Sequence, residues 1–212
     1  MKKILILGGT GGLGSQLVKI LSNKYDITSI GSKDLDIRSK KDCEEYFENN
    51  KFEILLNLSG VNYDSFIHKL NDNQIESMID VNIKGSINVV SACLKQMRQD
   101  KYGRIILISS ILAQKNVMGT SIYSSCKSFL DKFVKNISVE NIGLGITANS
   151  LQLGYFDGGM TYRIPDDNLS SIRETIGLKR FGKIEELSDT INFIIENEYI
   201  TGTNIKIDGG IQ

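Results

Sequence analysis

The sequence is poor in several of the residues that build familiar sites. Its only histidine, His68, has no cysteine or carboxylate at ligand spacing, so no metal centre is expected and the residue reads as an ordinary surface or interface side chain. Lysine plus arginine equals aspartate plus glutamate at 25 each. That balance removes the basic excess on which nucleic-acid binding depends and the acidic excess of a solvating tail, leaving a small molecule as the expected partner. Cys43, Cys93 and Cys126 are odd in number and lack CxxC spacing, which fits inert buried thiols in a reducing compartment rather than a disulfide. The apolar run Ile4 to Leu7 ends in glycine, too short for a signal-peptide core, and nothing approaches the ~18 apolar residues of a membrane span. A cytoplasmic protein without membrane contact is expected. With one proline and no repeat or low-complexity tract, nothing marks a linker.

What the chain does have is 41% hydrophobic and 24% charged residues over 212 positions, enough for one core without disulfide or metal staples. Short β-branched runs alternate with longer segments of helical period, the pattern of βαβ units and a parallel sheet. Strands are expected at Lys3 to Leu7, Ile27 to Gly31, Leu35 to Ile37, Ile54 to Leu58, Arg104 to Ser109, Ile146 to Leu151 and Asn204 to Ile207. Helices are expected at Leu13 to Lys24, Lys40 to Asn50, Asn73 to Gln99, Ser121 to Asn141 and Ile184 to Glu196, the third opened by an Asn71/Gln74 capping box. This is a doubly wound, Rossmann-type, three-layer α/β/α fold in a single domain spanning 1–212. One long irregular stretch, 154–182, is placed to act as a substrate lid.

The first strand runs into Gly8-Gly9-Thr10-Gly11-Gly12-Leu13-Gly14 and then a helix, the placement that a phosphate-binding turn requires. Gly8, Thr10, Gly12, Leu13 and Gly14 are therefore candidate contacts to a dinucleotide pyrophosphate. After the second strand a carboxylate would suit the ribose hydroxyls of NAD. The chain offers Ser32 and Lys33, which suit a 2′-phosphate, with Asp34 next to them, so NADP is favoured slightly over NAD. Asp36 and Ile37 complete the adenosine-side set.

Tyr123 and Lys127 stand four apart at the start of a helix and so share a face. An ammonium beside a phenol favours the phenolate, which lets the tyrosine exchange a proton with an alcohol or carbonyl oxygen near neutral pH. Ser110, at the end of the preceding strand, can hydrogen-bond the same oxygen.

These residues together resemble the short-chain dehydrogenase/reductase family over nearly the whole chain. Gly8, Gly12 and Gly14 match the glycines of TGxxxGxG, with Leu7 in place of the threonine; Asn57, Ser59 and Gly60 fall on the family's NNAG, keeping its first Asn and its Gly. Asn82 matches the helical Asn that, in the family, positions a water for proton relay, and Ser110, Tyr123 and Lys127 match the active-site Ser, Tyr and Lys. The resemblance implies that Lys127 also holds the nicotinamide ribose and that Tyr123 lies against the cofactor. Asn149 to Phe156 resembles the stretch ending in Pro-Gly that meets the nicotinamide, so Gly154 and Phe156 join the cofactor set, although Leu153 replaces the proline and Gly158 stands where a threonine is usual.

Within the family the chain is most similar to 3-oxoacyl-carrier-protein reductases. The Leu35-Asp36-Ile37 run begins only three positions after Ser32, so the crossover from the second to the third strand is shortened. One of the two basic positions used to dock an acyl carrier matches Lys101, and the other falls on Leu144. The implied function is hydride transfer between NAD(P) and a ketone or secondary alcohol, with a small-molecule or acyl-thioester substrate. The apolar stripe Phe129, Leu130, Phe133, Val134 and Ile137 and the tail Arg180 to Gly182 and Tyr199 to Gly210 imply a homo-oligomer, a tetramer or a dimer. Two other readings stay open: a sugar or glycan-precursor reductase or epimerase on the same scaffold, and a non-catalytic NAD(P)-sensing module.

Overall fold

The computed structural model describes residues 1–211; Gln212, the last residue of the expected domain, lies outside the described residues. In chain order the main elements are β1 (Lys3–Leu7), α1 (Gly12–Leu21), β2 (Asp26–Ile30), α2 (Lys40–Asn49), β3 (Ile54–Asn57), α3 (Asp72–Ile79), α4 (Ser86–Asp100), β4 (Gly103–Ser110), α5 (Ser121–Asn141), β5 (Ile146–Leu153), α6 (Asp166–Thr175), α7 (Ile184–Glu196) and β6 (Asn204–Ile207). Six parallel strands lie in the order β2-β1-β3-β4-β5-β6. The chain winds outward from β1 to β2 and then returns to the other flank of β1 as β3. A crevice opens at that reversal, beyond the C-terminal ends of β1 and β3.

Alternation along the strands divides the core between the two faces. In β1, Leu5 and Leu7 pack with α2, α4 and α5 through Phe47, Val89 and Val134, whereas Ile4 and Ile6 pack with α1 and α7 through Leu17 and Ile191. Every residue of β3, β4 and β5 is buried, as strands covered by helices on both sides must be. Arg104, buried at the start of β4, is accommodated because its donors reach the carbonyls of Gly103, Gly145 and Ile195 and the Glu198 carboxylate. All three cysteines are free and buried.

The structure corrects three expectations. Leu35 to Ile37 is not a strand. Its backbone is engaged elsewhere, Leu35 N donating to Gly31 O and Ile37 O accepting from Asn88 Nδ2 at 2.9 Å, while the Leu35 and Ile37 side chains plug the core. The expected helix from Asn73 to Gln99 is α3 and α4 joined by a π-helical turn, Asp80–Gly85, although the capping box at Asn71 and Gln74 forms. The stretch 154–182 is also more ordered than expected. It holds a 3₁₀ turn, Gly159–Arg163, and all of α6, whose apolar positions Leu169 and Ile172 were too few to announce a helix.

Candidate active site

β1 and β3 pair with Leu7 opposite Asn57, so the two loops that follow leave the sheet side by side. Gly8 takes φ +76°, and a Cβ there would come within 3.1 Å of the Leu58 carbonyl carbon and Ser59 N. Glycine is what allows the loops to touch. A Cβ on Gly14 would meet Gly8 O at 2.3 Å, closing the turn tightly onto α1. Ser15 N makes a bond to Gly11 O, no side chain caps the helix, and its first turn holds no acidic residue. The amides before Ser15 thus form a positive, uncapped helix end. These features fit a dinucleotide pyrophosphate on Gly12, Leu13 and Gly14. Thr10 turns toward the β2 end, its hydroxyl 2.3 Å from where a Gly31 Cβ would stand.

The β3 loop is tied down from within. Asn57 Nδ2 donates to Ser86 Oγ at 3.2 Å and its Oδ1 accepts from Ser59 N at 2.9 Å. Asn82, wholly buried in the π-helical turn, donates to Val61 O and Met78 O at 2.8 and 2.9 Å and accepts from Val61 N at 3.2 Å. Its side chain holds the loop in place with every polar atom engaged. A Cβ on Gly60 would lie 2.9 Å from Asn82 Oδ1 and 3.4 Å from Lys127 Nζ, so this glycine lets the loop, the π turn and α5 converge.

β4 ends at Ser110, whose Oγ accepts from Leu112 N at 3.2 Å and lies beside the Tyr123 phenol, favouring its ionised form. Burial is the stronger influence and, with Asp64, pushes Tyr123 up to about 12, so the expectation that the neighbouring ammonium favours the phenolate near neutral pH is corrected: burial outweighs it. Lys127 is buried one helical turn further along, its Nζ donating to Ile108 O at 2.8 Å and standing 5.5 Å from the centre of the Tyr123 ring. Burial pushes this ammonium down to about 8. Ser110, Tyr123, Lys127 and Asn82 therefore come together at the crevice. The arrangement offers a protonated phenol at neutral pH, a hydroxyl to hold a substrate oxygen, and a cation held behind the phenol.

The adenosine-side residues are arranged differently. Ser32, Lys33 and Asp34 all lie in an exposed turn, where the Asp34 carboxylate accepts from Gly31 N at 2.8 Å. Asp36 is taken by Arg38 through two side-chain bonds of 2.8 Å, and Ile37 is in the core. Beyond β5, Gly154 packs on Asp208, and Phe156 buries its ring against Gly182 and the α1/α7 core, so what Phe156 can offer a ligand is backbone. Sequence reasoning missed the seat of Gly158 and Gly159. A Cβ on Gly12 would stand 3.1 Å from Gly159 Cα, and one on Gly158 would meet Gln16 Nε2 at 2.8 Å. The stretch 154–182 thus rests on the phosphate turn, and the paired glycines were its only signal.

Among the described residues no cluster of His, Cys, Asp and Glu could hold a metal ion, and no helix is long and apolar enough to cross a membrane. Comparison with known proteins places this geometry. Residues 12–212 match the family model described as "Enoyl-(Acyl carrier protein) reductase". The carbonyl reductase family member 4 of Xenopus tropicalis is 28% identical over 100% of this chain and 98% of its own length. The 3-oxoacyl-[acyl-carrier-protein] reductase FabG of Rickettsia felis is 28% identical over 99% and 96%. Among solved structures, ElxO with NADP bound superposes with a TM-score of 0.89 at 23% identity over 99% of this chain and 98% of that one. A small-chain dehydrogenase in complex with NADPH gives 0.88 at 23% over 99% and 97%. With the family match running from the first turn of α1 to the C-terminus, the chain belongs to the short-chain dehydrogenase/reductase family of NAD(P)-dependent oxidoreductases.

Proposed function

We propose that the protein is an NADP(H)-dependent reductase of ketones, including 3-oxoacyl thioesters. The observation that carries this reading is a buried, protonated Tyr123 phenol set between the Ser110 hydroxyl and the Lys127 ammonium at the mouth of the crevice. A dinucleotide, when bound, supplies the hydride to the carbonyl carbon. Ser110 holds the carbonyl oxygen, Tyr123 gives it a proton, and the phenolate left behind is stabilised by Lys127. Gly8, Thr10, Gly12, Leu13 and Gly14 would hold the pyrophosphate, with Asn57, Ser59, Gly60, Gly154 and Phe156 along the nicotinamide half. Lys127 would hold the nicotinamide ribose.

NADP is preferred to NAD on the adenosine side. Lys33 is exposed beside Ser32, and the one neighbouring carboxylate, Asp34, is bonded to Gly31 N. The two solved structures with NADP and NADPH support the same choice. A thioester substrate draws its support from the name of the Rickettsia relative and from that of the acetoacetyl-CoA reductase of Allochromatium vinosum, 31% identical over 75% of this chain. Residues 154–182 act as the substrate lid, and three free, buried thiols suit a cytoplasmic enzyme. The stripe Leu130, Val134 and Ile137 is spent on the core, so a homo-oligomer draws its support from apolar side chains elsewhere: Val139 on the outer face of α5, and Phe193 and Tyr199 at and beyond the end of α7, which are 77%, 54% and 100% exposed.

An epimerase of the extended branch would need a sugar-nucleotide domain, and the described residues after Gly154 are used by the lid, α7 and β6. A sensing module would have no use for the three converging residues. The test is steady-state NADPH oxidation with a panel of ketones and 3-oxoacyl thioesters, wild type against Tyr123→Phe. Turnover by wild type alone supports the reading, and equal turnover by both would overturn it.

A further inference from the structure

One buried charge is not used by the chemistry above. Asp131 lies on α5 four residues after Lys127 and eight after Tyr123, so all three share the helix face turned to β4 and β5. It is buried. Its neighbours Leu130, Val134 and Ile137 belong to the core, and an apolar residue would suit the position equally well for packing. The carboxylate is instead provided with donors from β5: Ser150 Oγ gives its hydrogen to Oδ1 at 2.7 Å, and Gln152 Nε2 donates to Oδ2. Both donors are neutral. A buried carboxylate held by neutral groups is favoured in its charged form by a cation nearby, and the one a single turn away on its own helix face is Lys127, with which it makes no direct ion pair.

We propose that Asp131 is a positioning residue: held by Ser150 and Gln152, it supplies the buried counter-charge that keeps Lys127 an ammonium behind Tyr123. The inference rests on the reading of Tyr123 and Lys127 as the proton-handling pair. Burial lowers the Lys127 pKa to about 8, and Cys126 and, after it, Asp131 are the influences that raise it again. Without Asp131 the lysine would sit nearer neutrality and lose part of its charge under working conditions.

The remaining charges around Lys127 do not substitute. On its own helix it is faced by Tyr123 and by Cys126; Cys126 is the stronger influence only as a thiolate, and because burial raises its thiol it is uncharged near neutral pH, where Asp131 is left as the charged partner. Asp64 acts on the phenol from the β3 loop, raising it. The π-helical turn directs Asp80 and Lys84 to the surface, 3.8 Å apart. β5 has no titratable side chain, β4 has only Arg104 at its opposite end with Glu198, and Lys206 of β6 pairs with Asp208 at 3.3 Å.

The experiment is a ¹³C NMR titration of the lysine ε-carbons, with the Lys127 signal assigned by its loss in Lys127→Met, comparing wild type with Asp131→Asn. The expected result is a Lys127 midpoint lower by roughly one pH unit or more in the variant; an unchanged or higher midpoint overturns the proposal. Should Asp131→Asn fail to fold, the double variant Asp131→Leu/Gln152→Leu removes the carboxylate together with its amide donor. It leaves Ser150 Oγ bonded to Asn204 Oδ1 at 3.0 Å, and the same midpoint is read. In alcohol oxidation, which needs the phenolate, the acid limb of the pH profile should move to higher pH in the variant, a change that a packing role would not produce. A midpoint that moves while the profile stays would overturn the link to Tyr123. If Tyr123→Phe proves fully active, the reductase reading falls, while the NMR midpoint still decides the role of Asp131.

Discussion

The two ends of the crevice are built on different plans. At the β4–β5 end every strand residue is buried, the functional side chains stand on long elements, and each polar atom of Asn82 is engaged. At the β2 end the strand is five residues long, the turn after it is exposed, and Asp36 is held by its neighbour Arg38 rather than facing the crevice. The first plan gives a fixed geometry, which the proposed function uses for proton transfer. The second gives a surface whose ligand preference depends on a few exposed side chains. On the proposed function, chemistry and cofactor choice would thus be separable in this molecule, and substitutions in one region should leave the other nearly untouched.

The largest effect should come from the rigid end. Tyr123→Phe is expected to lower turnover by roughly 10²-fold or more while leaving dinucleotide affinity, read by titration calorimetry, close to wild type. A parallel loss of affinity would break the proposed separation. Next is Gly12→Asp, at the point where the two ends share a helix terminus. Its carboxylate would face the pyrophosphate and its Cβ would press on Gly159, so affinity for NADPH and NADH alike should fall at least about tenfold.

Lys33→Ala should be smaller and selective, weakening NADPH by roughly tenfold and NADH hardly at all in thermal-shift titrations, because a single exposed cation to a 2′-phosphate is lost. Equal effects on both would move the 2′-phosphate site elsewhere. The smallest effect should be on stability, from Arg38→Ala. Hydrogen bonds from Arg38 hold the Asp36 carboxyl below its ordinary pKa, so the pair stabilises the fold above the usual aspartate range and ceases to as pH falls through it. Both groups are exposed and screened, so Tm at neutral pH should change by no more than about 2 °C and the acid dependence should flatten slightly.

The same contrast governs what could be read from the sequence. The glycine turn after β1, and Tyr123 and Lys127 at one helical turn, are local patterns, and α5, α7 and β6 were legible to the residue. Leu35-Asp36-Ile37 failed because its alternation is that of a strand, while whether a strand forms depends on a partner, and Asn88 took the backbone instead. The π-helical turn around Asn82 has no sequence signature apart from an ordinary helical period. Asp131 was legible in principle, as one charge within an apolar stripe, but its meaning came only with Ser150 and Gln152 opposite.

Among the described residues no strand pairs outside β2, and that matters for how copies of the chain meet one another. β2 is the terminal strand of the sheet, bonded on one side only, to β1. Such an edge is a template on which a second chain can add by backbone pairing. Here it is five residues long, begins with the exposed Asp26 and carries Thr28 and Ser29. Shortness and polarity are what keep edges from propagating, so making this strand more apolar would stabilise nothing inside the fold and would favour fibrous or amorphous precipitation.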